Sequence, residues 1–299
     1  ARARHYLILG PCDHSGTRMP RQEFGGVEFG DQAMFDAFAL DRHWYRWAMG
    51  EGDKPDFLLD RVTYFVAGAN QWKGAGSLDE IANSELVLYP RSAGSASSLY
   101  QSGSMQTTAA EADVDQYIYD PLDTSKVMFD PADDYIMDQQ EVLVTDGDGL
   151  IYHSDPFEKD TEITGYLRFE AWFEMDVPDT DINITLYEIL EDGTSIALAG
   201  ETQRARFRDS LHAETLMTPG TIERFVFERP YFFSRMVKKG SRLRLFIRPS
   251  NLVSNQRNYN SGKTVAGETA ADARTATVRL HMGPETPTRL ILPVVNPPE

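Results

Sequence analysis

The stretch RLRLFI, residues 242–247, decides the fold class. Leu243, Leu245 and Ile247 alternate with Arg242, Arg244 and Phe246. A period of two puts the first set on one face of a strand and the second on the other, the pattern of a half-buried antiparallel strand. Strand-like runs recur on both sides, at residues 61–67, 85–89, 142–145, 150–153, 161–176, 181–190, 195–199, 222–227, 275–282 and 288–294, each bounded by turn residues. Many short strands with few helical stretches predict a mainly β protein from about Asp60 onward, a β-sandwich or jelly roll. Residues 91–140 show weaker periodicity and predict loops with short strands, interrupted by the apolar triplets Tyr117-Ile118-Tyr119 and Val127-Met128-Phe129.

Residues 1–58 have a different texture. His5-Tyr6-Leu7-Ile8-Leu9 is a short apolar run stopped by Gly10-Pro11, which fits a strand buried on both faces in a parallel sheet. A polar, Gly-rich loop follows to Gly30. Asp31 then predicts the cap of a helix that runs to about Met49. Met34, Phe38, Tyr45 and Ala48 share one face, with Leu40, Trp44 and Trp47 beside it, so the helix is expected to be buried on more than one side. Gly50-Glu51-Gly52 ends it. One strand and one helix are not a domain; they read as the tail of an α/β unit.

Composition narrows the function classes. The 299 residues carry 46 acids against 29 bases, a formal charge of -17. Such a surface repels phosphate backbones, and no basic stripe is present, so nucleic acid is not an expected partner. The apolar runs are too short to cross a bilayer, and no membrane partner is expected. The single cysteine, Cys12, excludes an internal disulfide framework and CxxC metal ribbons. This suits a cytoplasmic protein, with secretion or a periplasmic location as the alternatives.

A series of segments resembles the X-Pro dipeptidyl-peptidase and cocaine esterase family of serine hydrolases. LILGPCDHSGT (7–17) resembles its histidine loop, at the end of the α/β-hydrolase domain, and the helix that follows also matches. VTYFVAGANQW (62–72) resembles the first strand of its C-terminal jelly roll, and YDPLD (119–123) its Tyr-Asp-Pro segment. Residues 176–210, ending in Arg204-Ala205-Arg206-Phe207-Arg208, resemble its central hairpin. KKGSRLRLFIRPSN (238–251) and PETPTRLILPVV (284–295) complete the series, in order, over nearly the whole chain. The resemblance implies a strand-loop-helix remnant of an α/β-hydrolase domain at 1–58 and the jelly roll at 59–299. It also implies Ser-Asp-His chemistry on an acyl ester or amide, X-Pro dipeptides included.

Of that triad only the histidine maps here, onto His14. Acyl transfer needs a base that takes the serine proton and returns it to the leaving group. By spacing alone His14 reads as a loop histidine without a role; the resemblance assigns it the base. His5, His43, His153, His212 and His281 lack such a context. No serine sits in a Gly-x-Ser-x-Gly turn: Gly94-Ser95-Ala96-Ser97-Ser98 and Gly103-Ser104 lack the second glycine. Chain order in these folds is Ser, then Asp, then His, so the nucleophile and the acid are expected upstream of Ala1. Asp13 adjoins His14 and is read as a loop-shaping residue, and Cys12 likewise. The chain alone is therefore expected to be inactive, its partners being an N-terminal catalytic portion and a small ester or peptide substrate.

No metal and no cofactor are expected. Asp146-Gly147-Asp148-Gly149 lacks the closing bidentate acid of a calcium loop and reads as a hairpin turn. Asp176, Asp179 and Asp181 mark a hairpin end. Trp72, Trp172 and Tyr231-Phe232-Phe233 are candidates for a sugar platform, with packing as the commoner fate of such residues. They carry the rival reading, a non-catalytic carbohydrate- or protein-binding sandwich module. A scaffold that self-associates into a homo-oligomer is the third.

Overall fold

The computed structural model describes residues 5–12, 19–98, 100–125, 136–139, 142–143, 147–250 and 255–296. It is mainly β. Among the described residues, thirteen strands are hydrogen-bonded into two layers joined at one strand. The first layer contains β8 (Asp113–Tyr119), β10 (Thr161–Gly165), β11 (Arg168–Met175), β14 (Ile222–Phe227), β15 (Phe233–Val237), β17 (Ala276–Met282) and β18 (Arg289–Val295). The second runs β13 (Ser195–Arg204), β12 (Asp181–Ile189), β16 (Arg242–Arg248), β9 (Leu150–Ser154), β7 (Gly103–Gln106) and β6 (Ser84–Arg91). β6 makes the corner: residues 84–88 pair with β18 and residues 89–91 with β7. Neighbours in both layers are antiparallel except β7 and β9.

The layers close on one core. Phe169, Phe173, Val278, Leu280, Leu290 and Leu292 from the first layer meet Ile182, Ile184, Leu186, Leu243, Leu245 and Ile247 from the second. Each such side chain contributes about 1.5–3 kcal/mol of transfer free energy when fully buried. Phe246, on the opposite face of β16, is nevertheless buried, because Val142, Ile151, Tyr187 and Ile189 cover the outside of that layer. The run expected at 161–176 breaks in two. Gly165 has φ +144°, and a Cβ there would lie 2.8 Å from Pro293 Cγ, so the chain turns at that point and crosses to a new partner.

A second, smaller sheet holds β1 (Leu7–Leu9), β4 (Val62–Val66) and β5 (Gln71–Ala75), with β1 and β4 parallel and β4 and β5 antiparallel, while β2 (Glu23–Phe24) and β3 (Val27–Glu28) pair only with each other among the described residues. It straddles residue 58. β4, which resembles the first jelly-roll strand, lies in this sheet and reaches the sandwich through a bridge between Ala67 and Arg235 of β15. Glu188 of β12 accepts a 2.6 Å bond from the Arg235 guanidinium, an ion pair buried at the junction of the two layers and the small sheet.

Three expectations are corrected. Asp31 opens a 3-10 turn, Asp31–Ala33, and the helix α1 spans Ala37–Ala48 with Asp36 as its cap, accepting from the Ala39 N–H at 2.8 Å. Met34 leaves the turn in an extended conformation, and the Phe35 ring stacks on Phe57 at 4.8 Å. That contact separates turn from helix. Secondly, α1 buries none of its residues: Leu40, Trp44 and Trp47 are half-covered, while Phe38 and Tyr45 are exposed. β1 is also incompletely covered, with Leu7 at its exposed start. Thirdly, Val142 and Leu143 form a helical turn, the Leu143 N–H reaching the Gln139 carbonyl at 3.1 Å, where a strand was expected.

Candidate functional site

His14 and Asp13 lie outside the described residues, and so does Asp146. The segment before Asp13, residues 5–12, lies among the described residues. β1 is held by its parallel pairing to β4 and by the Leu7 N–H bond to the Arg61 carbonyl at 2.9 Å. Pairing stops after Leu9. At Cys12 the N–H turns back to the Gly10 carbonyl at 3.0 Å, a tight reversal two residues before His14. The indole of Trp72 lies against this reversal: a Cβ on Gly10 would be 3.1 Å from Trp72 Cη2. Trp72 donates its ring N–H to the Gln32 carbonyl at 2.7 Å and meets the Phe35, Phe57 and Phe65 rings edge-on, with centroids 5.7, 4.9 and 5.2 Å away.

The serines weighed as nucleophiles stand elsewhere. Ser95 and Ser97 bond to each other at 2.9 Å in the turn before β7, and Ser104 lies within β7. None stands on a strand-to-helix turn. Ser102 makes a pairing that sequence reading missed: its Oγ is 2.8 Å from His153 Nδ1. This resembles a catalytic dyad, but the polarity is wrong. Arg244 Nε donates to His153 Nε2 at 2.9 Å, and a guanidinium has no acceptor. Nε2 must therefore be the bare nitrogen, so Nδ1 carries the proton and donates to Ser102. Burial, then the neighbouring Arg244 and Arg242 charges, push the imidazole from 6.5 down to about 4. Ser102 thus faces a donor, not a base.

That arrangement has a measurable consequence. The folded pKa lies below the unfolded one, so the contribution to stability is full above about pH 6.5. It is lost as pH falls toward about 4. After solvent screening of a half-buried group, the loss is expected to be about 2 kcal/mol. Urea titrations at pH 7 and pH 4 on the wild type and His153→Gln test it. Equal acid losses in both proteins would contradict the assignment.

The remaining histidines are apart from this region. His5, His43 and His212 are exposed, and His281 bonds Glu174 Oε2 at 2.9 Å on the outer face of β17. The aromatic candidates do not converge. Trp72 packs in the cluster above, Arg224 lies 5.8 Å over Trp172, Phe232 packs edge-on to Tyr166, Phe233 is buried, and Tyr231 stands alone in solvent. Asp179 and Asp181, read as a hairpin end, are buried anchors. Arg206 binds Asp179 at 2.8 Å, Arg204 binds Asp181 at 2.7 Å, and Asn258 bridges both carboxylates. Among the described residues, no group of three or more His, Cys, Asp or Glu is arranged to hold a metal ion, and no helix is long and apolar enough to cross a membrane.

Comparison with known families assigns the sandwich. Residues 57–291 match the X-Pro dipeptidyl-peptidase C-terminal non-catalytic domain. The chain belongs to this family. The match to the X-Pro dipeptidyl-peptidase C-terminal domain begins beyond α1 and runs through the two-layer core as far as Ile291 of β18. Cocaine esterase of Rhodococcus sp. (strain MB1 Bresler) is 28% identical over 302 residues, covering 97% of this chain and 51% of the esterase. The crystal structure of an aminopeptidase from the marine sediment archaeon Thaumarchaeota archaeon superposes with a TM-score of 0.82 at 16% identity, over 98% of this chain and 49% of that one. An α-amino acid ester hydrolase superposes with a TM-score of 0.77 at 19% identity, over 97% and 50%. The chain therefore spans about half the length of these relatives, and the homology supports a portion of a hydrolase.

Proposed function

We propose that this chain is the C-terminal portion of a serine hydrolase that cleaves acyl esters or amides, X-Pro dipeptidyl substrates included. Residues 1–58 are read as the closing segment of its α/β catalytic domain, carrying His14 as the general base. Residues 59–299 are the bracing jelly roll. The observation that carries this reading is where the apolar surface lies. Leu7, Met34, Phe38, Tyr45, Met49 and Leu59 are exposed within one strand-helix segment. β1 is also an edge strand whose far side pairs with no described strand. An apolar helix face and an open parallel edge are the surfaces that an α/β-hydrolase core covers. The half-length match to an esterase and an aminopeptidase supports the same partner, an N-terminal catalytic portion supplying the serine and the acid. A sugar-binding module gains no support, since its candidate aromatics are dispersed.

The pure 299-residue chain is expected to show no turnover of p-nitrophenyl esters. Co-expression with an N-terminal hydrolase portion should restore turnover that a serine-directed fluorophosphonate abolishes. Robust, fluorophosphonate-sensitive turnover by the chain alone would sink the reading.

A further inference from the structure

Resting on the reading of His14 as the general base, we propose that Trp72 is a positioning residue: its indole fixes the reversal at Gly10-Pro11-Cys12, two residues before His14 in the chain. Gly10 is the point of contact. Its φ is not among the left-handed values found at other glycines of the chain, so the backbone alone does not require glycine there. The ring does. A methyl group would stand 3.1 Å from Trp72 Cη2, closer than carbon atoms normally pack. The indole cannot retreat readily. Its N–H is committed to the Gln32 carbonyl, and Phe35, Phe57 and Phe65 surround it. Through Phe65 it joins a cluster that includes Ile196 of β13. One side chain therefore touches the end of β1, the turn before α1 and the aromatic packing that reaches the sandwich. This gives the non-catalytic sandwich a physical route to the catalytic segment, because a base displaced by about 1 Å costs on the order of a hundredfold in rate.

The test uses Gly10→Ala, Trp72→Phe and the double variant. In the 299-residue chain, each single variant is expected to speed amide hydrogen exchange at Cys12, whose N–H closes the reversal, by about tenfold. In the full-length hydrolase, each is expected to lower kcat by about tenfold or more, with KM within about twofold. Gly10→Ala should cost far less in the Trp72→Phe background, because phenylalanine removes the atom that the methyl group meets. Phe225→Leu, a cavity in the sandwich core, provides the control: it should lower the melting temperature while leaving kcat and Cys12 exchange alone. Unchanged Cys12 exchange, or equal losses from Gly10→Ala in both backgrounds, would overturn the role of Trp72. Retained turnover in His14→Ala would overturn the general-base reading instead, whatever the exchange data show.

Discussion

In the full-length hydrolase proposed above, His14→Ala is expected to lower kcat by roughly 10⁴ or more, while the stability of the sandwich stays within about 1 kcal/mol of the wild type. A serine hydroxyl is a weak nucleophile until a base stands within hydrogen-bond reach. Without the imidazole, the attacking proton has no acceptor and the leaving group no donor, so both halves of acyl transfer slow. The melting expectation follows from where the main core lies. Among the described residues it is built from side chains between Leu88 and Leu292, more than seventy positions along the chain from residue 14. His281→Ala is the matched control. His281 sits in β17 and pairs with Glu174, so its loss should leave turnover intact. His153→Gln is a second control, since that imidazole donates to its neighbouring serine. Steady-state kinetics paired with thermal melts decide the matter: near-wild-type turnover in His14→Ala removes the one catalytic role assigned to this chain.

The period-two pattern made most of the sandwich legible. The 222–227 run coincides with β14, and the runs at 242–247, 275–282 and 288–294 fall within a residue or two of β16, β17 and β18. β7 and β15 were not foreseen. Gly103-Ser104-Met105-Gln106 contains one large apolar residue and offers no alternation, and Phe233-Ser234-Arg235-Met236-Val237 buries an arginine at its centre. Arg235 reads as a solvent-facing residue until the buried Glu188 appears opposite it, and that partner is 47 residues away in sequence. The helix was misjudged for a different reason. Its wide apolar stripe predicts burial on more than one side, yet among the described residues nothing covers Phe38 and Tyr45, which meet solvent. The role proposed for His14 rests on family resemblance alone, because a lone histidine after a strand has no distinctive spacing. Conversely, the Ser102–His153 contact was invisible in sequence, and its chemistry depends on Arg244, which only the fold brings near.

The Arg204-Ala205-Arg206-Phe207-Arg208 close of the central hairpin carries the largest expected effect on stability. Arg206 is 1% exposed and lies beside Asp179, which is fully buried. The guanidinium gives Nε to Asp179 Oδ2 at 2.8 Å and Nη2 to the Lys263 carbonyl at 2.7 Å, while the Arg206 backbone N–H reaches Asp179 Oδ1 at 2.9 Å. One side chain thus ties the end of β13 to the segment before β12 and to the 255–275 loop. Removing it leaves a carboxylate in the interior without its counter-charge, and such a loss costs about 3–5 kcal/mol. Arg206→Ala is therefore expected to destabilise the chain by that amount and to lower its denaturation midpoint in urea accordingly. Arg206→Met with Asp179→Leu should recover much of the loss, because neither charge then remains to be desolvated. Arg208→Ala, at the same hairpin end, is the comparison. Its guanidinium bonds the Ala205 and Thr215 carbonyls, and its acidic neighbours Asp209 and Glu223 are exposed, so its loss strands no buried charge and should cost about 1 kcal/mol. Equal losses from Arg206→Ala and Arg208→Ala would show that the buried pair is not what holds the hairpin to the sandwich.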